Sequence, residues 1–283
     1  PFLITSAEWM KKILLRLVNR FKEETDMSVF VTGDIHGDPR RLNTESFYEQ
    51  KQFSGDKDEN IVIILGDFGL IWSRDSENKQ EKYYLDWLEQ KPFTTVFVDG
   101  NHENHVRLAT YPVKQWHGGL VHEIRPHVLH FMRGEMFEIE GKRFFAFGGA
   151  SSHDVSDGIL DYEDPEWRDQ AKELDHQGKY MYRVKGLTWW SEELPNETEM
   201  QHGLEIIKKY DNKVDYILTH SPSTSELYLM GGKGLYEPDV LTNYLEEIKV
   251  SVDYKRHLFG HMHLNKAIND RDICLYEQIV RIL

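Results

Sequence analysis

Short, mostly apolar runs recur along this chain, and each stops at a polar turn, four of the five containing glycine. The clearest occupy residues 29–31, 61–65, 94–98, 214–218 and 257–259. Runs of this length, rich in branched residues, read as short strands buried on both faces. Helical spacing appears between them. Residues 77–89 place Tyr84, Leu85 and Leu88 on one face, and 200–210 and 238–248 read the same way, with Pro238 suited to a first turn. Residues 119–149 form a run of β-structure, with strands at 128–132, 136–139 and 143–147. Its Glu140-Gly141 step is a hairpin signal. Short strands follow near 267–268 and 273–276. Strands alternating with helices predict an α/β domain.

Two stretches break the alternation. In residues 1–26, Trp9, Ile13, Leu14, Leu17, Val18 and Phe21 fall at helical spacing with Lys and Arg between them. This predicts an amphipathic extension docked on a main domain of 27–283. A second reading treats it as translated leader ahead of a native start at Met27, because Lys22-Glu23-Glu24 can be encoded by a purine-rich, ribosome-binding-like run. Residues 151–205 are acidic and irregular, carrying Asp154, Asp157, Asp161, Glu163 and Asp164. They read as a surface excursion of the kind that forms lids. Residues 231–234 read as a flexible loop.

Composition narrows the class. A chain of 283 residues with 40% apolar side chains can bury a sizeable core, and one large domain is expected. Its net charge of −14 disfavours extended nucleic acid, which is held by Lys and Arg. The single cysteine, Cys274, allows no internal disulfide and suits a reducing, cytoplasmic compartment. No apolar run is long enough to span a bilayer, and no signal peptide is evident.

The chemistry lies in the turns that end the apolar runs. They read Gly33-Asp34-Ile35-His36-Gly37, Gly66-Asp67-Phe68-Gly69, Gly100-Asn101-His102-Glu103, Thr219-His220-Ser221-Pro222 and Gly260-His261-Met262-His263. Asp34 and His36, one residue apart, point the same way from an extended segment. Sites in open α/β sheets form beyond the carboxyl ends of strands, so five such ends can converge. Carboxylate, amide and imidazole donors suit Mn²⁺, Fe²⁺/Fe³⁺, Zn²⁺, Ni²⁺ or Co²⁺ rather than Ca²⁺ or a thiolate site. The donors outnumber the needs of one ion. Two divalent ions with Asp67 between them use all of them.

These five motifs, in this order over residues 33–263, resemble the calcineurin-like metallophosphoesterases. The resemblance implies a four-layer α/β/β/α sandwich of two mixed sheets, with the metals at strand ends. It implies that Asp34, His36, Asp67 and His263 hold one metal, and Asp67, Asn101, His220 and His261 the other, with Mn²⁺ favoured. It gives His102 the role of general acid or transition-state stabiliser. The expected activity is hydrolysis of a phosphate ester through a metal-bridging hydroxide. The substrate expected is a small phosphorylated molecule or nucleotide, with a phosphodiester favoured. The rivals are a phosphomonoesterase or protein phosphatase, and a non-catalytic metal-binding scaffold of the same fold. The protein-phosphatase branch follows its second motif with an Asp and an Arg. Here Asp67 is followed by Phe68-Gly69-Leu70, so the acid orienting the histidine and the phosphate-binding arginine are missing from that place. Arg40, Arg41 and Arg74 are candidates to replace the arginine.

Other polar residues read more plainly. His105, His117, His122, His127, His130, His176, His202 and His257 are expected to be surface or core histidines. His153 and Asp154 suit either a turn or a substrate contact. Trp189 and Trp190 are expected to pack, and Cys274 to be a small buried hydrophobe.

Overall fold

A computed structural model describes residues 27–231 and 237–283. The extension expected over 1–26 and most of the 231–234 loop lie outside the described residues. The apolar runs become strands of two sheets. The chain builds β1 (Ser28–Thr32), β2 (Asn60–Leu65), β3 (Thr94–Val98), β4 (Val113–Trp116), β5 (Gly119–Arg125), β6 (Val128–Phe131), β7 (Glu135–Ile139) and β8 (Lys142–Phe147). It leaves for a separate ribbon of β9 (Gly158–Asp161) and β10 (Tyr182–Lys185), and returns with β11 (Lys213–Thr219) and β12 (Asp253–Phe259). The short strands β13 (Lys266–Ala267), β14 (Asp272–Cys274) and β15 (Val280–Arg281) finish it. The first sheet runs β15-β1-β2-β3-β6-β5-β4 and the second β13-β14-β12-β11-β8-β7. Helices α1 (Lys79–Glu89), α2 (His105–Leu108), α3 (Trp167–His176), α4 (Glu197–Lys209), α5 (Thr224–Gly231) and α6 (Val240–Ser251) connect them.

Side-chain alternation explains the layering. Val29, Val31, Ile61, Ile63, Val96 and Val98 of the first sheet pack against Phe144, Ala146, Leu218 and Leu258 of the second. Their neighbours along the same strands point the other way. Phe30, Val62 and Ile64 meet Leu85 and Leu88 of α1, while Phe145, Phe147 and Ile217 meet Ile207 of α4 and Leu241, Leu245 and Ile248 of α6. The result is the expected α/β/β/α sandwich. It explains why β2 is buried at every residue and reads as a continuous apolar run. Removing one such side chain, as in Ile63→Ala, costs about 2–5 kcal/mol.

Local signals set the element ends. Asn78 and Glu81 form a capping box on α1, and Asn196 and Glu199 one on α4. Helix α6 begins later than its proline suggests. The Asp239 carboxylate accepts from Thr242 N at 2.7 Å and caps the helix, so Pro238 lies ahead of the first turn. Glu140 and Gly141 both have positive φ, 50° and 64°, and join β7 to β8 as a two-residue turn.

The stretch expected to be irregular carries regular structure. Strands β9 and β10 pair in parallel, and α3 makes the crossover between them. By Glu197 the chain has entered α4, whose Ile207 belongs to the main core. Among the described residues, no helix is long and apolar enough to cross a membrane.

Candidate metal centre

Strands β1, β2 and β3 are parallel neighbours, as are β11 and β12. Their carboxyl ends therefore deliver the five turns to one edge of the sandwich. Holding donors together there strains the backbone. His36, Asp67, His261 and His263 have φ of 45°, 42°, 65° and 50°. Side chains other than glycine rarely adopt this region, at a cost of about 1–3 kcal/mol each. Two glycines supply the space. A Cβ on Gly66 would lie 2.2 Å from His220 Nδ1, and one on Gly100 would lie 2.2 Å from Asp67 Oδ1.

The donors meet in two groups that share Asp67. Asp34, His36, Asp67 and His263 offer ligand atoms all within 4.8 Å of one another, and so do Asp67, His220 and His261. In the first group, His263 Nε2 lies 3.2 Å from Asp34 Oδ2, and His36 Nδ1 lies 3.7 Å from Asp67 Oδ2. In the second, His220 Nε2 lies 3.3 Å from Asp67 Oδ1. The His220 Nδ1–H donates to the Leu65 carbonyl at 2.7 Å, which leaves Nε2 as the nitrogen that faces the carboxylates and could take a cation. Asn101 sits beside both groups, between Gly100, packed on Asp67, and His102, whose N–H donates to Asp67 Oδ1 at 2.9 Å.

Three features show that this set fits divalent cations. Asp34 Oδ2 and Asn101 Oδ1 are buried without a hydrogen-bond partner, which is costly unless something else engages them. Imidazole nitrogens face each other at 2.9 Å between His36 and His263 and at 3.2 Å between His220 and His261. The electrostatics also call for positive charge. Burial opposes a charge on His220, yet the Asp67 and Asp34 carboxylates outweigh it and push its pKa up to about 10. Burial likewise works against a charge on Asp67, and the facing imidazoles, His220 first, hold it well below the carboxylate range.

The calcineurin-like phosphoesterase family profile matches residues 27–265. The chain belongs to the calcineurin-like phosphoesterases. It is thus a phosphoester hydrolase of a metal-dependent family. Among solved structures, it is similar to the phosphopantetheinyl hydrolase PptH from Mycobacterium tuberculosis. Identity is 11%, coverage is 90% of this chain and 95% of that one, and the TM-score is 0.35. A likeness that loose carries no argument about substrate. No curated protein matches.

Around the donors, this phosphoesterase places groups that the motifs did not announce. His102 stacks on Trp72 at 5.5 Å between ring centroids, and Trp190 packs edge-on against Trp72, buried as expected. Arg183 of β10 donates from Nη2 to His102 Nε2 at 3.0 Å, and its Nε pairs with Asp154 at 2.6 Å. The three arginines proposed from sequence are committed elsewhere. Arg40 pairs with Asp38 at 2.5 Å. Arg41 donates to the Asp34 carbonyl at 2.7 Å and to the Tyr276 carbonyl. Arg74 pairs with Glu163 at 2.6 Å over the Tyr162 ring. The guanidinium that reaches His102 belongs to the excursion and not to a turn. His153 also joins the site, its Nε2 2.7 Å from His261 Nε2. Glu103, fully buried, accepts from Gly69 N at 3.1 Å and Gly100 N at 2.6 Å, tying two of the turns together. Its place in Gly-Asn-His-Glu was the available signal. Arg183 and Ser152 lie in no motif.

A cleft of about 250 Å³ opens beside His102, lined by His36, Gly69, Leu70, Trp72 and Gln80 among others. Two of the histidines expected to be ordinary are held in buried networks. His257 is buried between Glu226 at 2.9 Å and Thr219 at 2.8 Å, and His130 donates to Asp99 at 3.1 Å. Glu226, His257 and Asp272 also have the spacing of metal donors, but the Lys249 ammonium already bridges the two acids, at 2.5 and 3.1 Å.

Proposed function

We propose that this protein is a dinuclear metal-dependent phosphoesterase acting on a small phosphodiester or nucleotide. Asp34, His36, Asp67 and His263 hold one ion. Asp67, Asn101, His220 and His261 hold the other. The observation that carries this reading is the sharing of Asp67 by two donor groups drawn from four of the five turns, with the Asn101–His102 turn tied to the same carboxylate through the His102 N–H. Bound divalent ions, Mn²⁺ favoured, neutralise phosphoryl charge and make water nucleophilic near neutral pH.

The protein's own groups do the rest. Arg183, fixed by Asp154, presents a guanidinium to the phosphoryl oxygens, replacing the arginine absent after Asp67. His102 stands beside the leaving oxygen. Because Arg183 donates to its Nε2, the neutral ring carries its proton on Nδ1, which suits a hydrogen-bond donor to developing charge. The Trp72–His102 stack forms one wall of the cleft in which the alcohol half of the ester would sit. The chain's net charge of −14 favours a singly charged diester over a polyphosphate. The lone Cys274, buried with its pKa pushed up to about 12 by desolvation, is compatible with a cytoplasmic setting.

Parallel assays of bis-(p-nitrophenyl) phosphate and p-nitrophenyl phosphate with added Mn²⁺ test the reading. Faster, metal-dependent turnover of the diester is expected. A preference for the monoester would overturn the substrate class. No turnover of either by protein that has taken up two ions would point to the scaffold.

A further inference from the structure

Asn101 poses a problem that a carboxylate ligand would not. Its amide has two similar ends, and only the oxygen can bind a cation. The metal site therefore works only if something holds the amide the right way round. The structure shows what does so. Asn101 Nδ2 donates to Ser152 Oγ at 3.3 Å. The Ser152 hydroxyl is itself committed, because it donates to Glu193 Oε2 at 2.6 Å. Glu193 Oε1 accepts from Ser152 N at 2.8 Å, which fixes the carboxylate against the same residue. All three side chains are buried: Asn101 is 5% exposed, Ser152 4% and Glu193 3%.

A hydroxyl has one proton. Since that of Ser152 goes to Glu193, only a lone pair remains for Asn101. A lone pair accepts from the amide nitrogen and repels the amide oxygen. Asn101 Oδ1 is thereby turned away from Ser152, and it is the buried atom left without a hydrogen-bond partner. We infer that Glu193, acting through the Ser152 hydroxyl, is a positioning residue that sets the amide of Asn101 with its oxygen toward the metal. This rests on the metal-site reading above. It also gives the 151–193 segment a task other than closing over substrate. Glu193 precedes α4 and its backbone carbonyl accepts from Arg133, so the segment is anchored where it is needed.

Glu193→Gln would reverse this restraint. A glutamine must keep its oxygen toward Ser152 N–H, since two donors cannot face each other. Its NH₂ then faces Ser152 Oγ. The hydroxyl loses its acceptor, turns its proton toward Asn101 and favours the flipped amide. Mn²⁺ binding by isothermal titration calorimetry reads the consequence without turnover. E193Q is expected to weaken one of two binding steps by about 10–100-fold, the usual effect of losing an outer partner of a ligand, and to leave the other unchanged. Ser152→Ala, which removes the restraint without reversing it, should fall in between. Asn101→Asp is the decisive background, because a carboxylate has no wrong end. There, adding E193Q should cost less than threefold.

Wild-type affinity at both steps in E193Q would overturn the inference. An equal loss in the N101D background would too, since it would mean that Glu193 supports only the local fold. Failure of the wild type to bind two ions would instead defeat the metal-site reading beneath it.

Discussion

Arg183 offers the sharpest test of the site, because the excursion delivers it and no motif predicts it. Its side chain is 8% exposed and makes three contacts: Asp154 at 2.6 Å, His102 at 3.0 Å and the Thr188 carbonyl at 3.2 Å. Replacing it with Ala leaves Asp154 unpaired, but that carboxylate is 46% exposed and can hydrate. The fold should therefore survive. What is lost is a charge-assisted hydrogen bond to the phosphoryl group, worth about 1.5–3 kcal/mol. At about 1.4 kcal/mol per tenfold, kcat/KM should fall between roughly 10- and 150-fold. Arg183→Lys should recover little of this, since an ammonium cannot hold Asp154 and reach His102 with one rigid fork. The assay is diester hydrolysis at saturating Mn²⁺, with metal content and thermal melting measured on the same preparations. If R183A keeps kcat/KM within about threefold of wild type while binding metal normally, the guanidinium does not touch the reacting group.

Other perturbations separate metal holding from chemistry. Asp67→Asn should lower bound metal and hydrolysis together, because both donor groups use that carboxylate; elemental analysis with the diester assay checks it. His102→Ala should keep its metal and lose roughly 10²–10³-fold in kcat, the usual range for a lost donor to developing charge; near-normal kcat would remove His102 from the mechanism. Away from the site, burial alone would raise the pKa of Glu226, but the facing His257 and Lys249 outweigh it and hold the group at about 2, against an ordinary 4.5. The stabilisation is present above pH 4.5 and is lost as pH falls from 4.5 toward 2, amounting to on the order of 3 kcal/mol. Urea melts across that range should show this slope flattened in Glu226→Gln; an unchanged slope would refute the assignment.

The fold was legible because burial on two faces leaves its mark on composition. β2 and β3, covered by helices on one side and a second sheet on the other, had to be buried throughout and read as apolar, branched runs at 61–65 and 96–98. The donors were legible because each turn is local in sequence. The excursion was not, for a physical reason. Helix α3 buries only Ala171, so it has no apolar stripe to read. Strands β9 and β10 are four residues each and half exposed. Their products were hidden for a different reason. Arg183 meets His102 across 81 positions and Ser152 meets Asn101 across 51, and neither approach is written in any spacing. The same absence of a local signal left Arg40, Arg41 and Arg74 as the visible candidates, although each is paired with other groups.

Both donor groups straddle the two sheets. Asp34, His36 and Asp67 leave the first, while His220, His261 and His263 leave the second. A cation bound by either group would therefore be a rivet through the seam of the sandwich, not an ornament on its rim. No single half of the chain can assemble either socket. On that reading, uptake of the ions would follow docking of the halves, and a loaded molecule would resist opening of the seam.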